Sequence, residues 1–177
     1  MASLIDQVNG AISRAVSRSS AALVRVSSGR RGDGAGVVWD ADGLIVTNAH
    51  VAYRDQPRVQ LPDGRWVTGT VVARDRELDL AALRVEAGGL TAATRGDSRS
   101  LRPGELVFAQ GHPWGVAGAI SSGVVIGVGP DWPGLIAGNE ERAGDAPREW
   151  LVVNMRLRPG NSGGPVMDSE GRLVGIS

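Results

Sequence analysis

Cysteine and lysine are both absent from this chain of 177 residues. Without cysteine, no disulfide staples the fold and no thiol does chemistry. Without lysine, all 19 basic residues are arginine, and they balance 19 acidic residues to a formal net charge of zero. The arginines are scattered, with Arg30-Arg31 the only adjacent pair. A nucleic-acid or membrane-surface footprint needs clustering and a positive excess, so both are excluded as expectations. Aromatics are scarce, with one Phe, one Tyr and five Trp, and they form no array for stacking bases or sugars. Histidine occurs twice, at His50 and His112, too far apart for a metal signature. No apolar run approaches the roughly 20 residues of a membrane-spanning helix. No signal peptide is visible.

What is present is a chain long enough to bury roughly 70% of its unfolded surface. Residues 4–16 place Leu4, Ile5, Val8, Ile12, Ala15 and Val16 at helical spacing, with Asp6 early and Arg14 and Arg18 late. That is an amphipathic docking helix with charges suited to its dipole. Short Val/Leu/Ile runs follow at 23–27, 36–39, 44–47, 58–61, 66–73, 80–85, 106–110, 120–128, 150–155, 165–167 and 173–176. Asp42-Gly43, Asp63-Gly64 and Glu170-Gly171 punctuate them with hairpin chemistry, since glycine accepts the positive φ those turns need. Many short strands without helices between them predict an all-β barrel or sandwich architecture. Residues 88–103 read as a crossing segment between two halves, and 129–147 as a second long loop.

Three motifs carry chemistry: Thr47-Asn48-Ala49-His50-Val51, Leu78-Asp79-Leu80-Ala81-Ala82-Leu83 and Pro159-Gly160-Asn161-Ser162-Gly163-Gly164-Pro165. Histidine, aspartate, then serine is the chain order of one nucleophilic triad. A serine hydroxyl is a poor nucleophile until a base takes its proton, and histidine titrates in the right range. The imidazole must be held in one tautomer and stabilised once protonated, which a buried carboxylate does. Asp79, flanked by Leu78 and Leu80, is expensive to bury without that role. Asp75, its nearest rival, sits between Arg74 and Arg76 and reads as a solvated strand end. The Gly160 and Ser162 N–H groups lie two residues apart in a run without bulky side chains. Aimed at one point, they would form an oxyanion hole.

On these motifs the chain resembles the chymotrypsin-fold serine proteases, and among them the HtrA (Deg) group. The resemblance covers roughly residues 20–177. It implies two perpendicular Greek-key β-barrels with the site in the cleft between them. The resulting division is a helix at 1–19, one barrel at 20–90 and a second at 91–177. It implies His50 as general base, Asp79 as its orienting carboxylate, Ser162 as nucleophile, and Gly160 with Ser162 as oxyanion hole. No cofactor or metal is called for. Leu157, Arg158 and Ser177 fall where the family meets its substrate, although Arg156 and Arg158 replace small or neutral residues. Digestive relatives carry aspartate where this chain has Asn161 and pair it with a freshly cut N-terminus. Neutral Asn161 cannot make that ion pair, so activation by N-terminal trimming is not expected.

The implied substrate is exposed or unfolded polypeptide. A homo-oligomer, a trimer by resemblance, is the implied assembly, yet residues 1–22 lack the aromatics that often build it. An exported or periplasmic bacterial protein, with a signal or anchor removed, is the expected compartment. The chain stops at Ser177, before the last strand of the second barrel and before any PDZ peptide-binding module. A fragment of a longer protein is the first expectation. A natural short form completed by another chain is the second. The alternative function is a latent or regulatory peptide-binding protease domain, inactive until the missing C-terminal segment or a partner completes it, and an esterase is the third. Two features read as chance or scaffold. Arg31-Gly32-Asp33 is an unremarked tripeptide in a Gly-rich turn, and His112 is a loop residue.

Overall fold

The structure, a computed structural model, describes residues 3–29, 33–129 and 150–177. It opens on helix α1 (Leu4–Ser20). Ser3 caps it: its hydroxyl accepts from the Asp6 N–H at 3.2 Å, while the Asp6 carboxylate accepts from the Ser3 N–H at 3.0 Å. The helix continues past the apolar pattern that predicted it. Ser17 and Ser20 donate their hydroxyls back to the Ser13 and Val16 carbonyls, both at 2.9 Å, so serine does not terminate it. Only its second half docks. Ala15 and Ser19 are buried, whereas Leu4, Ile5 and Val8 are exposed. Gly171 lies so close to the Ala15 backbone that a Cβ there would collide, which seats α1 on the hairpin below.

Six strands form the first lobe: β1 (Leu23–Ser27), β2 (Asp33–Asp40), β3 (Leu44–Asn48), β4 (Arg58–Gln60), β5 (Trp66–Asp75) and β6 (Leu80–Val85). They close into an antiparallel barrel in the order β1-β2-β3-β6-β5-β4. Closure leaves no open edge. Alternation places Val24, Val26, Val37, Ile45, Val59 and Leu83 inside, all fully buried. Each such side chain contributes about 1.5–3 kcal/mol. A core of small aliphatics accounts for how little aromatic residue the chain needs.

The second lobe contains β7 (Leu106–Gly111), β8 (Ala119–Gly129), β9 (Trp150–Met155), β10 (Pro165–Met167) and β11 (Leu173–Ile176). These make an antiparallel sheet in the order β11-β10-β7-β8-β9. It curls without closing. Leu151 and Val153 of β9 and Val174 and Ile176 of β11 line one hollow of about 360 Å³, shared with Leu78 and Leu80 of the first lobe. The all-β reading holds: among the described residues one lobe is a closed six-stranded barrel and the other a five-stranded curled sheet. Segment 88–103 stitches the lobes as expected. Ala93 N–H donates to Val38 at 2.9 Å, and Leu173 N–H donates to Thr94 at 2.7 Å. Asp168, buried, caps the β10–β11 hairpin by accepting from the Glu170 and Arg172 N–H groups and from Arg172 Nε. Residues 130–147 of the long loop, Trp132, and Arg31-Gly32 of the tripeptide lie outside the described residues.

Candidate active site

The first lobe positions His50 and Asp79. Asn48, the last residue of β3, pairs with Leu80, the first of β6. That register sets His50 beside Asp79, which immediately precedes β6. Four hydrogen bonds then lock the pair. The Asp79 carbonyl accepts from the Ala49 N–H at 2.9 Å and from Asn48 Nδ2 at 3.0 Å. Its Oδ1 accepts from the His50 N–H at 2.9 Å, and its Oδ2 lies 2.6 Å from His50 Nδ1. A carboxylate only accepts, so Nδ1 carries a proton, and in the neutral imidazole Nε2 keeps its lone pair. Asp79 has φ +53°, a left-handed conformation that Asp tolerates better than most residues. Asp75 shapes the approach: its Oδ1 accepts from the Glu77 and Leu78 N–H groups at 2.8 and 2.9 Å.

One expectation is corrected here. The Asp79 carboxylate is not buried; its side chain is 43% exposed and that of His50 58%. The β3 and β6 ends stop at the rim, and an open hollow of about 280 Å³ lined by His50, Tyr53, Arg74, Arg76 and Asp79 lies there. Hydrogen bonds to a fixed backbone, rather than desolvation, hold the acid in place.

The second lobe brings the serine loop to the same rim. The Ser162 carbonyl accepts from the Ala35 N–H of β2 at 2.8 Å. Gly163, with φ +82°, packs against the Thr47 hydroxyl, the Ala35 carbonyl and the Asn48 N–H, so any Cβ would collide with them. Gly34 is pressed equally tightly between Val51 and the Ser162 carbonyl. Thr47 and Asn48, just before His50, thus pack on Gly163, just after Ser162, and Gly34 bridges Val51 to the Ser162 carbonyl. The Ser162 hydroxyl makes no hydrogen bond among the described residues, so the histidine–aspartate half of the array is bonded and the serine half is not. The Gly34-Ala35-Gly36 run was the sequence signal for this close approach, since small residues in a strand mark another backbone nearby.

Donor use in the serine loop is uneven. Asn161 N–H donates to Arg158 at 2.9 Å, Gly163 N–H to Ser177 at 2.8 Å and Gly164 N–H to Asn161 at 2.8 Å. The Gly160 and Ser162 N–H groups have no partner among the described residues. Asn161 is 1% exposed, and its amide has no partner there either. Ser177 supports the loop from below, its hydroxyl donating to the Asn161 carbonyl at 2.8 Å. Leu157 is exposed on the rim, and the Arg158 guanidinium lies 4.7 Å from the Trp114 ring centroid.

His112 lies in the loop after β7, as expected, and is half-buried there. Burial pushes its pKa down, and the nearby Arg25 charge adds to this, against smaller opposing effects of the Val24 carbonyl and Asp33. Its folded value therefore lies below the unfolded value of about 6.5. The stability this contributes is fully present above that pH and is lost as pH falls toward the folded value. Melting temperature should drop as pH falls below about 6.5, and His112→Asn should flatten that part of the profile, measured by calorimetry.

Comparison with known proteins agrees with this geometry. The family model described as "Trypsin-like peptidase domain" matches residues 34–176. The chain is 34% identical over 152 residues to "Probable periplasmic serine endoprotease DegP-like" of Halomonas elongata, covering 85% of this chain and 30% of that protein. It is 34% identical over 171 residues to "Serine protease PepD" of Mycobacterium tuberculosis, covering 89% of this chain and 36% of that one. Among solved structures, "HtrA-type protease AlgW with tripeptide" superposes with a TM-score of 0.80 at 33% identity, covering 93% of this chain and 53% of the other. The chain belongs to the trypsin-like peptidase family, and its relatives are HtrA-type serine proteases. It spans about a third of the length of those relatives and about half of that solved chain.

Proposed function

We propose that this chain is the catalytic part of a serine endopeptidase that cuts exposed or unfolded polypeptide through an acyl-enzyme. The observation that carries the reading is the 2.6 Å His50–Asp79 contact beside a serine loop whose unused donors are the Gly160 and Ser162 N–H groups. Ser162 Oγ attacks the peptide carbonyl while His50 Nε2 takes its proton. Asp79 holds the imidazole and stabilises it once charged. The Gly160 and Ser162 N–H groups receive the oxyanion. The same proton then passes to the leaving amine, and water resolves the ester. No cofactor enters.

Leu157 and Ser177 belong to its substrate side, while the Arg158 side chain is taken up by its contact with Trp114. The two lobes divide near residue 90, with α1 as an appendage. Export agrees with relatives named periplasmic, and among the described residues no helix is long and apolar enough to cross a membrane. A homotrimer belongs to the same proposal by family resemblance.

A fluorophosphonate probe tests the site directly. The native chain should be labelled once, at Ser162, as read by peptide mapping, and heat-unfolded chain should not. A native chain that stays unlabelled would sink the assembled-triad reading. Labelling without cleavage of a denatured polypeptide would sink the endopeptidase half alone.

A further inference from the structure

Trp114 has no evident reason to be where it is. Its side chain is 74% exposed and its backbone sits at φ 52°, ψ 23°. A bulky aromatic in the left-handed region costs about 1–2 kcal/mol, and an indole in water recovers little of that by burial. Such an outlier points to a function rather than to packing. What the indole does touch is the Arg158 guanidinium, 4.7 Å from its ring centroid.

Arg158 opens the turn that carries the oxyanion donor. Its carbonyl accepts from the Asn161 N–H at 2.9 Å, with Pro159 second and Gly160 third at φ +102°. Proline at the second position and a positive-φ glycine at the third is the type II pattern. A type I turn over the same four residues rotates the central peptide by about 150°, from the difference in ψ at the second position. Turn type therefore decides which face of the loop receives the Gly160 N–H.

We propose that Trp114 and Arg158 are positioning residues: their stacked pair holds the Arg158–Asn161 turn in its type II form and keeps the Gly160 N–H aimed at the developing oxyanion. The rest of the Trp114 loop is braced for this task. The His112 N–H donates to the Gly160 carbonyl at 2.8 Å. Gly160 lies against the His112 and Pro113 backbone so closely that a Cβ would come within 2.7 Å of the His112 oxygen. At the other end, Arg25 of β1 donates Nη2 to the Gly115 carbonyl at 3.1 Å. The loop is thus tied to the first barrel on one side and to the oxyanion turn on the other. The stacked pair adds a contact through the side chain that begins the turn, in an orientation that the left-handed φ at Trp114 sets.

The inference rests on Ser162 being the nucleophile, and the test separates the two. Phosphonylation of Ser162 by a fluorophosphonate is followed against probe concentration, which resolves maximal rate from half-saturating concentration. Trp114→Ala and Arg158→Met should each lower the maximal rate roughly 10–100-fold, less than the loss of a whole oxyanion donor at its upper end. Trp114→Phe and Arg158→Lys keep an aromatic face and a cation, so each should stay within about threefold of the parent. The double variant Trp114→Ala with Arg158→Met should be no slower than the slower single, because one contact is lost either way. Half-saturation and melting temperature should not move. Trp114→Ala reacting within twofold of the parent overturns the clamp and leaves the triad reading intact. So does a loss confined to half-saturation, or one that Trp114→Phe and Arg158→Lys share in full. A parent chain unreactive at Ser162 overturns both.

Discussion

Ser162→Ala should lower turnover of an unfolded polypeptide by roughly 10⁴–10⁶-fold, the range seen when a triad nucleophile is removed. The structure makes this a clean experiment. The Ser162 hydroxyl holds nothing together, since it makes no hydrogen bond among the described residues. Its carbonyl, bonded to the Ala35 N–H at 2.8 Å, is untouched by the change. The glycines on which the loop packs also stay. Stability should therefore remain within about 0.5 kcal/mol of the parent, as for substitutions that break no buried contact. Activity is read as initial rate on a denatured protein, and stability as the melting temperature of the same sample. A rate loss below tenfold would remove Ser162 from the reaction. A large loss accompanied by a comparable drop in melting temperature would assign the serine a structural role instead.

Much of this site was legible in the sequence, and the reason is physical. The chemistry needs a serine without shielding side chains, so glycines gather at 160, 163 and 164. The strands read well because the barrel core is built from β-branched residues and leucine, and because Asp-Gly and Glu-Gly turns bound the strands. Gly43, Gly64 and Gly171 indeed sit at φ +90°, +88° and +78°. What the sequence could not show depends on distant geometry. Flanking leucines suggested a buried Asp79, but burial is set by where β3 and β6 end, not by sequence neighbours. The extent of α1 hid behind serines that bond to their own helix. His112 is a loop residue, but its burial was not legible because its cover comes from the first lobe, Arg25 among it. Trp114 carried no signal, since neither its backbone conformation nor its contact with Arg158 has a local sequence signature.

Asp79→Asn is the sharper test of mechanism, because it changes one atom and its effect follows from the hydrogen bonds alone. The His50 N–H donates to Asp79 Oδ1 at 2.9 Å. In the variant that N–H still demands an acceptor, so the amide oxygen must occupy the Oδ1 position. The amide nitrogen then faces His50 Nδ1, where Oδ2 now lies at 2.6 Å. Two donors cannot share that contact, so Nδ1 must become the acceptor and the ring proton moves to Nε2. A protonated Nε2 has no lone pair for the Ser162 proton, and the base is switched off without being moved. The fold should tolerate the change. Asparagine accepts the φ of +53° at this position, and the bonds from Ala49 N–H and Asn48 Nδ2 go to the main-chain carbonyl. The expected loss in kcat is about 10⁴-fold, the size found when this tautomer error is introduced in another serine protease. KM should barely change, since nothing that grips the substrate is altered. Rates on a peptide substrate, with NMR of the His50 ring nitrogens to read the tautomer, check both halves. A variant that keeps the proton on Nδ1, or that loses less than tenfold in kcat, would show that Asp79 does not set the state of the base.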